Sequence, residues 1–215
     1  MSTPAESMLA ETLMRQAFFG ESRGVGILRT FQGQYARFFA STALEQDLRV
    51  QIADESRHAR SYARMLAARN TAPVGLAGVA PGWQRIVCHI AQANSFSTTL
   101  VGLYGLMEPF NLLAMNTLLP LLDKADLADV DQIARDEARH IGMFDVFAEL
   151  VERGVLRVDV AEGAEMIRVF CDALKDGIAL PTGEPVTLPR SDWRGFMKHV
   201  GQLQDRMLSW RDAAA

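Results

Sequence analysis

Asp54-Glu55-Ser56-Arg57-His58 and Asp136-Glu137-Ala138-Arg139-His140 write one short phrase twice, each inside a stretch whose apolar residues recur with helical period. A Glu and a His three residues apart lie on one face of a helix. A carboxylate and an imidazole on that face are half of a binuclear metal site, so two such helices packed antiparallel supply one side of a pair of ions. A complete site needs one further carboxylate from each of two other helices, and both are present. Glu21 precedes Glu55 by 34 residues and Glu108 precedes Glu137 by 29, the separation needed to leave one helix, turn and return to the same height. For the first pair the turn falls near 38–41, where Thr42-Ala43-Leu44-Glu45 reads as a capping box opening the second helix. For the second pair it falls near Leu122, and Asp126 with Asp129 behind it is the expected helix start.

Four Glu and two His are the ligand set of ferritin-like di-iron or di-manganese carboxylate proteins, and the chain resembles that superfamily over roughly Met8 to Leu150. The local match is to rubrerythrin-type chains, where a Phe-rich run ending in Gly-Glu-Ser opens the first ligand helix, here Ala17-Phe18-Phe19-Gly20-Glu21-Ser22. The Asp-Glu-x-Arg-His form is similar to that of the ribonucleotide reductase small subunit and of bacterial di-iron oxygenases. A single Glu-x-x-His is also what a solvated helix face presents. Two copies, each with a correctly spaced upstream Glu, argue against that alternative.

The resemblance implies an all-α fold: a ferritin-like antiparallel four-helix bundle over 1–155, with a long crossover between helices two and three. Residues 156–215 are expected to add C-terminal helices packed on the same domain. Its metal ligands would be Glu21, Glu55, His58, Glu108, Glu137 and His140. Asp54 and Asp136 would support the cofactor from behind, each holding the ring N–H of the opposite helix's His, Asp54 with His140 and Asp136 with His58. A surface Asp paired with Arg57 or Arg139 is the plainer alternative for both. The cofactor would be two iron ions, with manganese or a mixed pair the alternatives, because oxygen-rich ligation with two imidazoles suits these metals. Four converging carboxylates repel one another in a dry core, so two divalent cations would also be structural.

With 49% apolar residues among 215, one helical domain with a sizeable core is expected. A net charge of −4 gives no reason to expect a nucleic-acid partner, and no long uncharged apolar run is present to span a membrane. No secretory signal is visible, and Cys88 and Cys171 form neither a disulfide framework nor a C-x-x-C pair, so a reducing cytoplasm is the expected location. Without a rubredoxin-like module, electrons would come from an external donor.

The first helix is expected over about Pro4 to Phe39 and the second over about Thr42 to Asn70. The next ligand helix must run parallel to the second, so the connection has to cover about 40 Å for a helix near 28 residues. Residues 71–81 reach only ~38 Å fully extended. The arithmetic therefore predicts a short helix over Trp83 to Ala93 within the crossover, with the ligand helix starting near Asn94 to Ser97; one long helix protruding from the bundle is the alternative. The fourth helix is expected over Leu127 to Arg153, a fifth over Ala161 to Asp176 and a sixth over Ser191 to Arg211, the last two separated by a Pro/Gly-rich loop over Leu180 to Pro189. Pro109 lies inside the third ligand helix and crowds the carbonyl of Gly105, which predicts a kink at Glu108. In O2-activating members of the superfamily the corresponding helix is often distorted near its Glu.

Tyr62 and Phe144 follow the two His by four and are expected to pack on them. Tyr104 precedes Glu108 by four and is the candidate catalytic residue, through a hydrogen bond to a ligand carboxylate or electron donation. Gly24 and Gly26 suggest close helix contact or free space beside the metals, at a cost of ~1 kcal/mol each relative to alanine.

No subfamily pattern is met in full. The additional Glu of rubrerythrins one turn beyond the third-helix ligand is Asn111 here. The third His of p-aminobenzoate-type N-oxygenases is Ile133, and the Thr of the soluble methane monooxygenase type is Leu112. The resemblance therefore implies a non-haem di-iron oxygenase that activates O2 to oxidise or hydroxylate a small, largely apolar organic substrate. The alternatives are a rubrerythrin-like peroxide reductase and a ferritin-type ferroxidase or iron store; a homodimer is compatible with each.

Overall fold

A computed structural model describes residues 4–39, 42–72, 79–175 and 190–213, and all regular structure among them is helical. Helix α1 spans Pro4–Phe39 and α2 spans Ala43–Ala68. Thr42 caps α2 as its sequence predicts, the Oγ1 accepting from the Glu45 amide at 3.3 Å. Such a cap is worth about 1 kcal/mol. The apolar residues near the start of α1, Ala10, Leu13 and Met14, pack with Tyr62, Met65 and Leu66 at the far end of α2. Glu11 accepts from the Thr71 hydroxyl at 3.1 Å just beyond it. The two helices are therefore antiparallel.

The chain then crosses back through α3, Pro81–Ala93, which stops at Asn94 in the left-handed region at φ 50°. Ser95 caps a new helix, its Oγ accepting from Thr98 at 3.1 Å. This is the break that the span arithmetic predicts, in place of one long helix, and the bulky ring of Trp83 anchors the crossover by donating to the Gln16 carbonyl of α1 at 3.0 Å.

Residues 96–118 are one continuous helical run in three parts: α4 over Phe96–Thr99, a π-helical segment over Leu100–Met107 and α5 over Glu108–Leu118. The expected kink at Glu108 is thus a widened stretch that ends there. The Glu108 amide donates to the Leu103 carbonyl, five residues back. Pro109 has no N–H to offer the Gly105 carbonyl, and His199 Nε2 meets that oxygen instead at 2.8 Å. A Cβ on residue 105 would sit 2.9 Å from Leu203, so glycine there lets the helix carrying His199 come close.

After a 3-10 turn over Leu119–Leu121, α6 spans Lys124–Glu152. The turn lies at Leu122 as expected, but the cap is Asp123, whose carboxylate accepts from Ala125 and Asp126 at 3.0 and 3.2 Å. The expected starter Asp126 is instead buried inside the first turn, where Arg69 donates to it at 2.6 Å. Arg69 with Asp126 and Arg57 with Asp136 show α2 and α6 to be antiparallel. Met115 and Leu118 pack with Val130 and Ile133, so α5 and α6 are antiparallel too, and α2 runs parallel to α5.

Helices α7, Val160–Lys175, and α8, Arg190–Ala213, match the fifth and sixth predicted elements, while the predicted loop between them lies outside the described residues. Met166, Phe170, Phe196 and Leu203 from these two helices join the core built by the earlier ones. Each fully buried side chain of this size is worth roughly 2 kcal/mol of apolar transfer. The tail is therefore held by the same core that surrounds the ligand helices. No described helix is long and apolar enough to cross a membrane.

Candidate metal centre

Glu21 on α1, Glu55 and His58 on α2, Glu108 at the start of α5, and Glu137 and His140 on α6 are all buried, none more than 4% exposed. The antiparallel pairs bring them to one height. Glu21, Glu55 and His58 form one group, and Glu55, Glu108 and His140 a second; within each, one ligand atom per residue lies within 4.8 Å of the others, and each group can hold a metal ion. Glu55 belongs to both.

Glu137 sits across from it. One oxygen lies 3.3 Å from His58 Nδ1 and the other 3.7 Å from His140 Nδ1. His58 Nδ1 is also 3.3 Å from Glu21, and His140 Nδ1 is 3.4 Å from Glu55 and 3.9 Å from Glu108. Both imidazoles thus turn Nδ1 inward to the carboxylates.

Behind each imidazole stands the aspartate of the opposite helix. His58 Nε2 is 3.4 Å from Asp136 and His140 Nε2 is 3.5 Å from Asp54. The plainer alternative holds at the same time. Arg57 donates to Asp54 at 3.0 Å and also to Asp136; Arg139 donates to Asp136 at 3.0 Å and also to Asp54. Two Asp and two Arg therefore close a ring across α2 and α6 that fixes both imidazole orientations, and the repeated five-residue phrase is what makes the ring reciprocal. Asp54 and Asp136 touch the imidazoles and not the cluster of ligand oxygens.

Four buried carboxyls facing two imidazoles perturb one another's protonation. Burial first, then the charge of neighbouring carboxylates, raises the carboxyls of Glu21, Glu55 and Glu108 well above the ordinary range. Burial acts the same way on Glu137, but the Glu108 carboxyl and the two imidazoles facing it outweigh burial and hold it low. For His140 burial disfavours the cation, yet Asp54 and Glu137 raise it to about 9. The cluster holds protons where a cation would serve.

The atoms fit that cation. Glu21 Oε1, Glu55 Oε1, both Glu137 oxygens and both His140 nitrogens are buried without a hydrogen-bond partner. A buried polar atom left so is costly, typically about 1–3 kcal/mol. Spacings of 3.3–3.9 Å are too loose for good hydrogen bonds. They suit ligand atoms that share an ion about 2.1 Å from each.

Other residues complete the surroundings. Tyr104 does not reach a carboxylate directly; its hydroxyl donates to Gln51 at 2.9 Å, and the Gln51 amide donates to Glu108 at 3.1 Å. Gln51 was not foreseen, although it stands one turn before Glu55 on the same face of α2. Gly24 is a close contact: a Cβ there would lie 3.0 Å from Glu55 Oε2, whereas a Cβ on Gly26 would meet nothing within 4 Å. Phe144 turns outward to α8, 6.3 Å from the Trp210 ring with Arg206 over its face. Tyr62 is fully buried and its hydroxyl has no partner. Compared with known protein families, curated proteins and solved structures, the chain matches none.

Proposed function

We propose that the protein is a ferritin-like di-metal carboxylate oxidoreductase that uses two iron ions, O2 and an external electron donor to oxidise or hydroxylate a small organic substrate. One observation carries this reading: two buried Glu/His groups share Glu55 while Glu137 presents one oxygen to each imidazole. Glu21 and His58 would hold one ion and Glu108 and His140 the other, with Glu55 and Glu137 available to both. When bound, such a pair supplies Lewis-acid and redox chemistry toward O2 or peroxide.

The chain's own groups do the rest. Asp136 and Asp54 stand 3.4 and 3.5 Å behind Nε2 of His58 and His140, where each would accept a proton from that nitrogen when Nδ1 ligates. Gln51 keeps one lone pair of Glu108 occupied and holds the Tyr104 phenol one step from it, a position from which Tyr104 can pass a proton or an electron inward. Leu106, Met107 and Phe110, all buried, exclude water from that side. The widened stretch that ends at Glu108 supports the oxygenase reading over storage, because π-helical segments within α-helices are frequent at functional sites.

Anaerobic loading with iron(II) followed by mixing with O2 tests the proposal. About one O2 should be consumed per iron pair, with the reaction stopping until a reductant is supplied. Continued uptake of hundreds of irons per chain into a mineral that survives gel filtration would overturn it in favour of storage, and a fast reaction with peroxide alone would favour a peroxide reductase.

A further inference from the structure

Beside the candidate metal centre, between α1, α2 and α5, lies a cavity of about 30 Å³. A water needs roughly 10–15 Å³ measured this way, so the space takes two or three waters, or about three to four bonded heavy atoms, which overlap one another. Its wall is mostly apolar, with Trp83, Phe110 and Met115 among the residues, and four polar side chains interrupt it: Gln16, Glu21, Tyr62 and the half-buried Asn111. Gln16, Glu21 and Tyr62 are buried at 5% exposure or less. Gln16 Nε2, Glu21 Oε1 and the Tyr62 hydroxyl each lack a hydrogen-bond partner. The Gln16 backbone carbonyl accepts from Trp83 Nε1 at 3.0 Å, which holds the indole against the cavity.

Three unpartnered polar atoms around one small cavity state what they would take. Gln16 Nε2 and the Tyr62 hydroxyl offer hydrogens, and Glu21 Oε1 offers a lone pair. A hydroxyl group has two lone pairs and one hydrogen, which matches that set. Water would satisfy the same atoms but leave Trp83, Phe110 and Met115 facing a polar occupant. A carboxylate has no hydrogen to give Glu21 Oε1. A short carbon chain on the hydroxyl suits the apolar wall.

We propose that this cavity binds a short neutral alcohol, its hydroxyl held by Gln16, Tyr62 and Glu21 and its chain of two or three carbons laid against Trp83, Phe110 and Met115. That such a molecule is also what the enzyme acts on rests on the oxidoreductase reading; its binding does not.

The test is ligand-observed saturation-transfer NMR with 1-propanol, on the protein loaded with redox-inert zinc and on the metal-free protein. Saturable binding is expected in both. Propionate should bind at least tenfold more weakly, and Gln16→Leu should weaken 1-propanol at least tenfold, with Tyr62→Phe weakening it about threefold or more. Should Gln16→Leu prove unfolded by circular dichroism, Gln16→Met and Tyr62→Phe decide the matter. No saturable 1-propanol signal, equal affinity for propionate, or unchanged affinity in the folded variants would overturn the proposal. Saturable 1-propanol binding by a chain that takes up no iron(II) would sink the metal reading and leave the pocket standing. Two bound irons without 1-propanol binding would sink the pocket alone.

Discussion

Gly24 shows how little room a ligand carboxylate has. Alanine inside a helix ordinarily adds ~1 kcal/mol of stability over glycine, but a methyl at this position would stand 3.0 Å from Glu55 Oε2, against the residue shared by both Glu/His groups. Gly24→Ala is therefore expected to fold as well as the parent while losing roughly 10-fold or more in metal affinity, the scale seen when groups beside a ligand are disturbed; competition with a chromophoric chelator reads this directly. Titration offers a second prediction. Glu21, Glu55 and Glu108 take up protons on folding because burial and their neighbours raise them above 4.5, and His140 rises from 6.5 to about 9. For raised groups the stability is full below the unfolded value and lost as pH climbs toward the folded one. The metal-free protein should thus melt at steadily lower temperature between about pH 5 and 9, and iron(II) or manganese(II) should flatten the slope; a metal-free melting curve that rises over this window would contradict the cluster's electrostatics. Asp136, depressed to about 2 chiefly by Arg57 against the opposing effect of burial, acts in the other sense and loses its contribution only as pH falls from about 4 through about 2. The six converging residues were legible because their spacing along two hairpins is a one-dimensional quantity. Gln16 and Gln51 were not, since a glutamine on a helix shows its significance only when another element places a cavity or a carboxylate beside it.

The element with the largest departure from regular geometry is the segment over Leu100–Met107. Its sequence, wholly apolar with two glycines, has no period to read, and Pro109 announced a disturbance without saying that the helix widens ahead of it. What the proline removes, α8 replaces, for His199 supplies the hydrogen that the Gly105 carbonyl lacks. His199→Ala should cost about 1–2 kcal/mol in urea denaturation and speed amide exchange over residues 100–108. Pro109→Ala restores an N–H to the helix, so the same His199 change made in that background should cost clearly less; equal cost in both backgrounds would show that the two residues do not act on one carbonyl. Elsewhere the elements were legible from length alone. The break at Asn94 follows from the distance the crossover must cover, and α1, α2, α7 and α8 fall within two residues of their predicted ends. The start of α6 was misplaced because Asp123, Asp126 and Asp129 are equivalent caps on paper, and only the arrival of Arg69 from α2 assigns Asp126 to an ion pair.

Across the whole molecule the candidate centre ties four helices together, so metal should stabilise the entire fold. At a free concentration 100 times the dissociation constant, one ion adds about 2.7 kcal/mol, or roughly 5–10 °C in melting temperature for a domain of this size. Calorimetry with and without chelator checks it, and identical melting would count against a core site. The two halves of the cluster are near mirror images in their imidazoles and aspartates, yet unlike at their outer carboxylates. Glu108 is braced by Gln51 and through it by Tyr104, whereas Glu21 leaves Oε1 unbraced beside the cavity. Two identical ions seated there would consequently differ in lability: the one on the Glu21 side would exchange first and refill last, and a chelator would strip the protein in two resolved kinetic phases, passing through a form with a single ion on the Glu108 side.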